Sequence, residues 1–367
     1  MADDDLTNPR FGQGEPFTLG VEEELFLADP DDGRQLDARE RVLAAVEEPE
    51  RGEITGEVHA CHVELITEPC DSVGQAVDAL AGLRRRVLAT GIGLIGSATH
   101  PTSPEDASTR SDTERYRFIA GQLGDALATP AAAVHVHVGM PDAETAIRAF
   151  NGLRRHLPLI EALAANGPFR HGRDSRFASA RELALRAWPR SGAPREMADY
   201  ADFAAYAERL TRAAGVPDYT FHWWKLRPHP RLGTVEVRAT DAQSSLAHLG
   251  AIVALIHSLA RHEAQADPVP GPAPEILEEG SYRAGRAGLA AEIPGPDGTP
   301  RPVAEVLEEA LALVGPVAQE LGCAGELSGI QAVVAAGGGA GEQRADHERG
   351  GMDAVLSGLL ERTRDAG

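Results

Sequence analysis

Short stretches of two-residue alternation recur along the chain between longer stretches whose apolar residues fall three and four apart. Alternation predicts half-buried strands; the longer spacing predicts helices with one apolar face. Helix 73–90 is predicted by Ala76, Leu80, Leu83 and Val87, and a long helical pattern over 142–165 by Ile147, Phe150, Leu153, Leu157 and Ile160. Pro158 should kink or break that second helix. Further helices are predicted over 38–48, 112–128, 196–214, 244–264, 302–321 and 351–364, and strands over 17–28, 57–67, 133–139, 221–227 and 234–240. AAGGGAG at 335–341 lacks the GK[ST] ending of a phosphate loop and reads as a flexible loop. The strands do not alternate with helices in regular βαβ units. An α+β fold with a mainly antiparallel or mixed sheet is therefore expected. Residues 1–16 read as a disordered tail before a single catalytic domain over 17–367.

The polar positions of the strands carry the chemistry. In TVEVRAT (234–240), Glu236 and Arg238 share one face while Val235, Val237 and Ala239 share the other. In GVEEEL (20–25), Glu22 and Glu24 share a face; Glu23 falls on the apolar side, which suggests a strand end or an edge. Glu64 alternates with Val63 and Leu65, His135 and His137 with Val134, Val136 and Val138, and Lys225 falls two residues before Arg227. A merely wet sheet face would more often carry Thr, Ser, Lys and Gln. Clustered glutamates repel unless cations hold them. Oxygen ligands suit Mg²⁺, which is commonly shared with substrate phosphates, and arginine forks suit phosphate or carboxylate. Glu57 and Glu64 are seven residues apart, so both can serve one site only if a bulge or turn lies between them. The HxH pair would also suit a zinc hydrolase, although the glutamate-rich surroundings favour Mg²⁺.

Composition narrows the alternatives. The net charge of −21 argues against non-specific binding to nucleic acid or anionic membranes. No apolar run is long enough to span a bilayer, and the acidic, polar start does not read as a secretory signal, so a cytoplasmic protein is expected. The three cysteines Cys61, Cys70 and Cys323 form no CxxC and read as small buried residues. Lys225 is the only lysine, so any chemistry that needs a lysine must use it.

GVEEEL (20–25), EVHACHVELIT (57–67), HVHVG (135–139), PFRHGRDSRFASAR (168–181), WPRSGAP (188–194), WWKLRP (223–228) and TVEVRATD (234–241) occur in the order seen in type 2 glutamate–cysteine ligases, the YbdK-like carboxylate–amine ligases. The chain resembles that family over about residues 17–260. The resemblance implies a glutamine-synthetase-like catalytic fold: a curved, mainly antiparallel sheet with helices on its outer face. It implies an ATP-dependent, ADP-forming reaction through an acyl phosphate, with Mg²⁺ or alternatively Mn²⁺. The implied substrates are a glutamate-like carboxylate and cysteine or another amine, and a homodimer is implied. Position by position, it implies metal ligands at Glu22, Glu24, Glu57, Glu64, Glu236 and one or both of His135 and His137. Arg238 and Arg227 become catalytic arginines, and Lys225, Arg181 and Thr67 become contacts to ATP or substrate. The family's middle-motif DTG is Asp174-Ser175-Arg176 here, which bears on the amino-acid pocket. A non-catalytic amino-acid or nucleotide-binding homologue is the alternative to a ligase; a hydrolase would turn over without nucleotide.

Overall fold

The structure is a computed structural model and describes residues 4–46, 49 and 51–365. Seven strands form one antiparallel sheet: β1 (Leu19–Ala28), β2 (Glu53–Gly56), β3 (His62–Ile66), β4 (Gly93–Ile95), β5 (Ala133–Gly139), β6 (Leu226–His229) and β7 (Thr234–Asp241). Their order is β2-β3-β1-β5-β7-β6, with β4 paired to the end of β1. The register sets Glu24 opposite Glu64, Glu22 opposite His135, His137 opposite Glu236, and Glu236 opposite Arg227. Side chains opposite one another in an antiparallel pair lie on the same face. One face of the sheet therefore gathers the charged residues, and the other gathers Val21, Leu25, Val63, Leu65, Val136, Val138, Val235 and Val237, all buried.

Helices cover the apolar face. They are α1 (Val73–Leu88), α2 (Ala143–Arg154), α3 (Leu157–Ala164) and α4 (Leu246–Gln265), and they pack on the strands and on one another. Their starts follow from local chemistry. Ser72, Asp142 and Ser245 each accept a hydrogen bond from a first-turn backbone N–H, as N-caps do. The expected long helix over 142–165 is broken before Pro158, which lies in the first turn of α3, where its missing N–H costs nothing.

Several expectations change. Residues 4–16 are not a loose tail: Leu6 is buried, Tyr200 donates to its carbonyl, and the Arg10 and Gly12 N–H groups bond Pro230 and Met140. AAGGGAG is not a loop throughout, because helix Gly338–Arg364 begins within it. There Gly339 packs so closely on Asn166 that a Cβ would lie 2.2 Å from its side-chain oxygen. The strand expected over 57–67 covers only 62–66, and Glu57 lies in the connection from β2.

Glu23 marks neither an edge nor a strand end. It lies mid-strand in β1, fully buried on the apolar face, and binds Arg84 of α1, whose Nε lies 2.9 Å from Glu23 Oε2. Arg84 also donates to the Ser244 and Gln243 carbonyls, at 2.9 and 2.8 Å, so it ties α1 and the entry to α4 onto the sheet. Removing one partner leaves an uncompensated buried charge. Arg84→Met should lower unfolding free energy by about 3–5 kcal/mol in a urea titration. The double variant Glu23→Leu/Arg84→Met should recover much of that loss.

Candidate active site

Antiparallel register and a connecting turn bring the charged residues into one cavity of about 230 Å³. Glu22, Glu24, Glu64, His135, Arg227 and Arg238 reach it from the sheet, Glu57 from the turn between β2 and β3, and Lys225 from just before β6. Helix Ala180–Leu185 supplies Arg181 and Glu182, α3 supplies Glu161, and helix Glu114–Leu123 supplies Arg115 and Tyr116. Glu57 and Glu64 both reach the cavity because of the turn; no bulge in β3 is needed. A bulge does occur between β5 and β7, where Arg238 and Ala239 together stand opposite His135.

Among the described residues, two groups have ligand atoms close enough to share an ion: Glu22, His135 and Glu236, and Glu24, Glu64 and His135. Within each, the atoms lie within 4.8 Å of one another. His135 belongs to both; its Nδ1 is 3.0 Å from Glu22 and its Nε2 is 3.9 Å from Glu24. His137 and Glu57 stand beside these groups: His137 Nε2 lies 3.2 Å from Glu22, and Nδ1 contacts the Thr234 hydroxyl.

Electrostatics divides the carboxylates into two sets. Burial, followed by Glu57, raises Glu24 to about 8. Burial, then Glu57, Glu22 and Glu24, holds Glu64 well above the usual range, and burial also raises Glu57. Burial opposes ionisation of Glu22 and Glu236 too, but it is outweighed by His137 and His135 around Glu22 and by Arg227 and Arg238 around Glu236. Both stay well below the ordinary value. Burial, then Arg238, lowers His135 to about 4 and leaves it a neutral imidazole at neutral pH, able to ligate a metal. The donor set is mostly carboxylate oxygen with one imidazole, and two of its acids, Glu24 and Glu64, resist ionising when no cation is near, as does Glu57 beside them. These residues fit a hard divalent cation such as Mg²⁺ or Mn²⁺.

The cations differ in how much of their hydrogen-bonding capacity is spent. Arg227 donates to both Glu236 oxygens and to the Thr220 and His222 carbonyls, so it mainly fixes Glu236. Arg238 donates only one Nη to Glu236, and the rest of its fork is open to the cavity. Arg181 donates to the Arg238 carbonyl at 3.0 Å and lies 3.7 Å from Asp241. Lys225 is buried between Glu161 and Glu182, at 2.6 and 2.7 Å. Burial lowers it, but the two carboxylates outweigh that and keep it charged. Thr67 does not enter this cavity. Its hydroxyl accepts the Val21 N–H at 3.0 Å, and it lines an adjoining cavity of about 600 Å³ with Glu22, His137 and Thr234.

The alternation of strand residues could not reveal Glu161, Glu182, Arg115, Tyr116 or His59, because none lies on the sheet. Glu161 did leave a signal: it is the one ionisable residue in the wholly buried helix LPLIEALA.

A half-buried cluster of carboxylates and imidazoles flanked by an open arginine fork has the donor chemistry that suits a hard cation on one side and an anion on the other. The sequence family described as Glutamate-cysteine ligase family 2 matches residues 18–357. A Rubrobacter xylanophilus protein named "Putative glutamate--cysteine ligase 2-3" is 40% identical over 363 residues, 96% of this chain and 99% of that one. The fold is similar to that of the Francisella tularensis glutamate–cysteine ligase solved with AMP: TM-score 0.69 at 10% identity, over 96% of this chain and 90% of that one. A bifunctional glutathione synthetase of Pasteurella multocida matches with TM-score 0.66 at 13% identity, over 95% of this chain and 52% of its own. The chain belongs to glutamate–cysteine ligase family 2 and is a ligase that forms C–N bonds. No helix among the described residues is long and apolar enough to cross a membrane.

Between the ordinary value of 4.5 and about 8, folded Glu24 holds a proton that the unfolded chain lacks. Its contribution to stability therefore falls as pH rises through that window. A divalent cation reverses the trend by replacing the proton. In chelator, the melting temperature should fall as pH rises towards 8. Added Mg²⁺ or Mn²⁺ should raise it most at the alkaline end, and Glu24→Gln should weaken both effects. An equal cation effect on wild type and variant would exclude Glu24 from the site.

Proposed function

We propose that the protein couples ATP cleavage to ADP and phosphate with amide formation between a glutamate-like side-chain carboxylate and an amine, cysteine being the leading candidate. The observation that carries this reading is the pair of ligand groups sharing His135 beside the open fork of Arg238. A divalent cation held by His135 with either Glu22 and Glu236 or Glu24 and Glu64 would neutralise phosphate charge and align the transferring group. The adjoining cavity, which meets the charged one at Glu22, suits the nucleoside end of ATP.

The protein's own groups do the rest. Arg227 holds Glu236 in one orientation, and the pair fixes the nearby end of Arg238. Arg238 offers its remaining N–H donors to oxygens that gain charge as the γ-phosphoryl moves to the acceptor carboxylate. The acyl carbon then reacts with the lone pair of an amine, and phosphate leaves. The buried walls keep water from intercepting the activated acid.

ADP release with Mg²⁺, ATP, glutamate and a panel of amines tests this reading, and product mass identifies the new bond. Glu64→Gln replaces a carboxylate whose ionisation burial already opposes, so the fold should survive while ADP release drops about 10²- to 10³-fold, the scale for losing one transition-state electrostatic contact. Near-wild-type turnover in that variant would refute the metal role. Arg238→Lys keeps the charge but loses the fork, and kcat should fall about 10²-fold or more. Full activity there would place the phosphate contact on another residue.

A further inference from the structure

Five side chains with permanent positive charge line the cavity: Arg115, Arg181, Lys225, Arg227 and Arg238. Four have a carboxylate partner. Arg227 and Arg238 bind Glu236, Lys225 binds Glu161 and Glu182, and Arg181 lies near Asp241. Arg115 differs. Among the described residues its guanidinium is held by neutral groups: both Nη atoms lie 3.3 Å from the Thr220 hydroxyl, and its carbon lies 4.4 Å from the centre of the Phe221 ring. The Thr220 hydroxyl donates to Asp218, and this turns its lone pairs toward Arg115. Phe221 is fixed in turn by edge contact with Phe118. The guanidinium is thus preorganised on one side and exposed on the other, in the lining of a cavity crowded with carboxylates. An arginine in that state matches a substrate anion presented in two-pronged fashion.

The position selects which anion. The two cavities meet at Glu22. Arg115, Thr220 and Glu57 line the charged cavity and do not line the adjoining one. An acid whose reacting carboxylate lies near Glu22 and Arg238 would extend its far end toward Arg115. We propose that Arg115 anchors the second, non-reacting carboxylate of the donor substrate, so that the enzyme selects amino-dicarboxylic acids over monocarboxylates. This inference rests on the ligase reading given above.

The test uses Arg115→Met and Arg115→Lys with two donors, glutamate and 4-aminobutyrate; the latter keeps the reacting carboxylate and lacks the other. Wild type should prefer glutamate in kcat/KM. Arg115→Met should raise KM for glutamate about 10- to 100-fold, the range for losing a charge-assisted contact, with little change in kcat or in KM for ATP. It should leave 4-aminobutyrate almost unaffected, so the preference collapses; Arg115→Lys should restore part of it. Calorimetric binding of glutamate to enzyme loaded with Mg²⁺ and a non-hydrolysable ATP analogue should show the same loss. Equal losses for both donors, or a rise in KM for ATP instead, would overturn the assignment while leaving the ligase reading intact. Absence of ADP release by wild type with every acid and amine would overturn the ligase reading, and the assignment with it.

Discussion

Desolvation of acids crowded into one cavity, with like-charge repulsion added to it, is the constraint on which this molecule turns. Glu24, Glu57 and Glu64 stand half-buried near one another, and each resists ionising chiefly because it is desolvated there. A free chain would move such groups apart. Here the β1–β3 ladder fixes Glu24 opposite Glu64 and the turn from β2 brings Glu57 beside them, so relief has to come from protons or from bound cations. The strain is local, and the rest of the fold holds it in place.

That support comes from the other face of the same strands. The valines and leucines alternating with the site residues pack against α1, α2 and α4, and this burial is what keeps the ladders in register. A one-residue slip of β1 would turn Glu22 and Glu24 into the core and Glu23 out of it. Glu23 shows how that risk is managed: the one carboxylate on the apolar side is matched to Arg84, which also pins the chain entering α4. Register, core and site are therefore a single constraint seen from two faces of the sheet.

The arginines show a division of labour that charge alone does not reveal. Arg227 and Arg238 meet the same carboxylate, yet Arg227 has spent most of its donors on Glu236 and on two carbonyls while Arg238 has spent few. Lys225, the only lysine, is matched by two acids and holds helix Ala180–Leu185 and α3 against the strand entry. Of the five cations lining the cavity, Arg115 is the one whose partners among the described residues are neutral.

Much of this was legible in the primary structure because a strand's period of two leaves a direct trace. Glu22, Glu24, Glu64, His135, Glu236 and Arg238 could each be assigned to the polar face of its own strand without coordinates, and the break before Pro158 follows from the missing N–H of proline. The family order of motifs was legible for the same reason, since these strands carry most of it. What remained out of reach depends on long-range approach. No local pattern says that a turn carries Glu57 in beside Glu64, that Glu23 meets Arg84 sixty-one residues away, that Thr67 serves a backbone N–H, or that residues 4–16 dock on the body. The sequence by itself determined which side chains share a face, because alternation is a property of neighbouring residues. Only the tertiary structure decided which of them carry free charge, because that depends on partners brought together from distant parts of the chain.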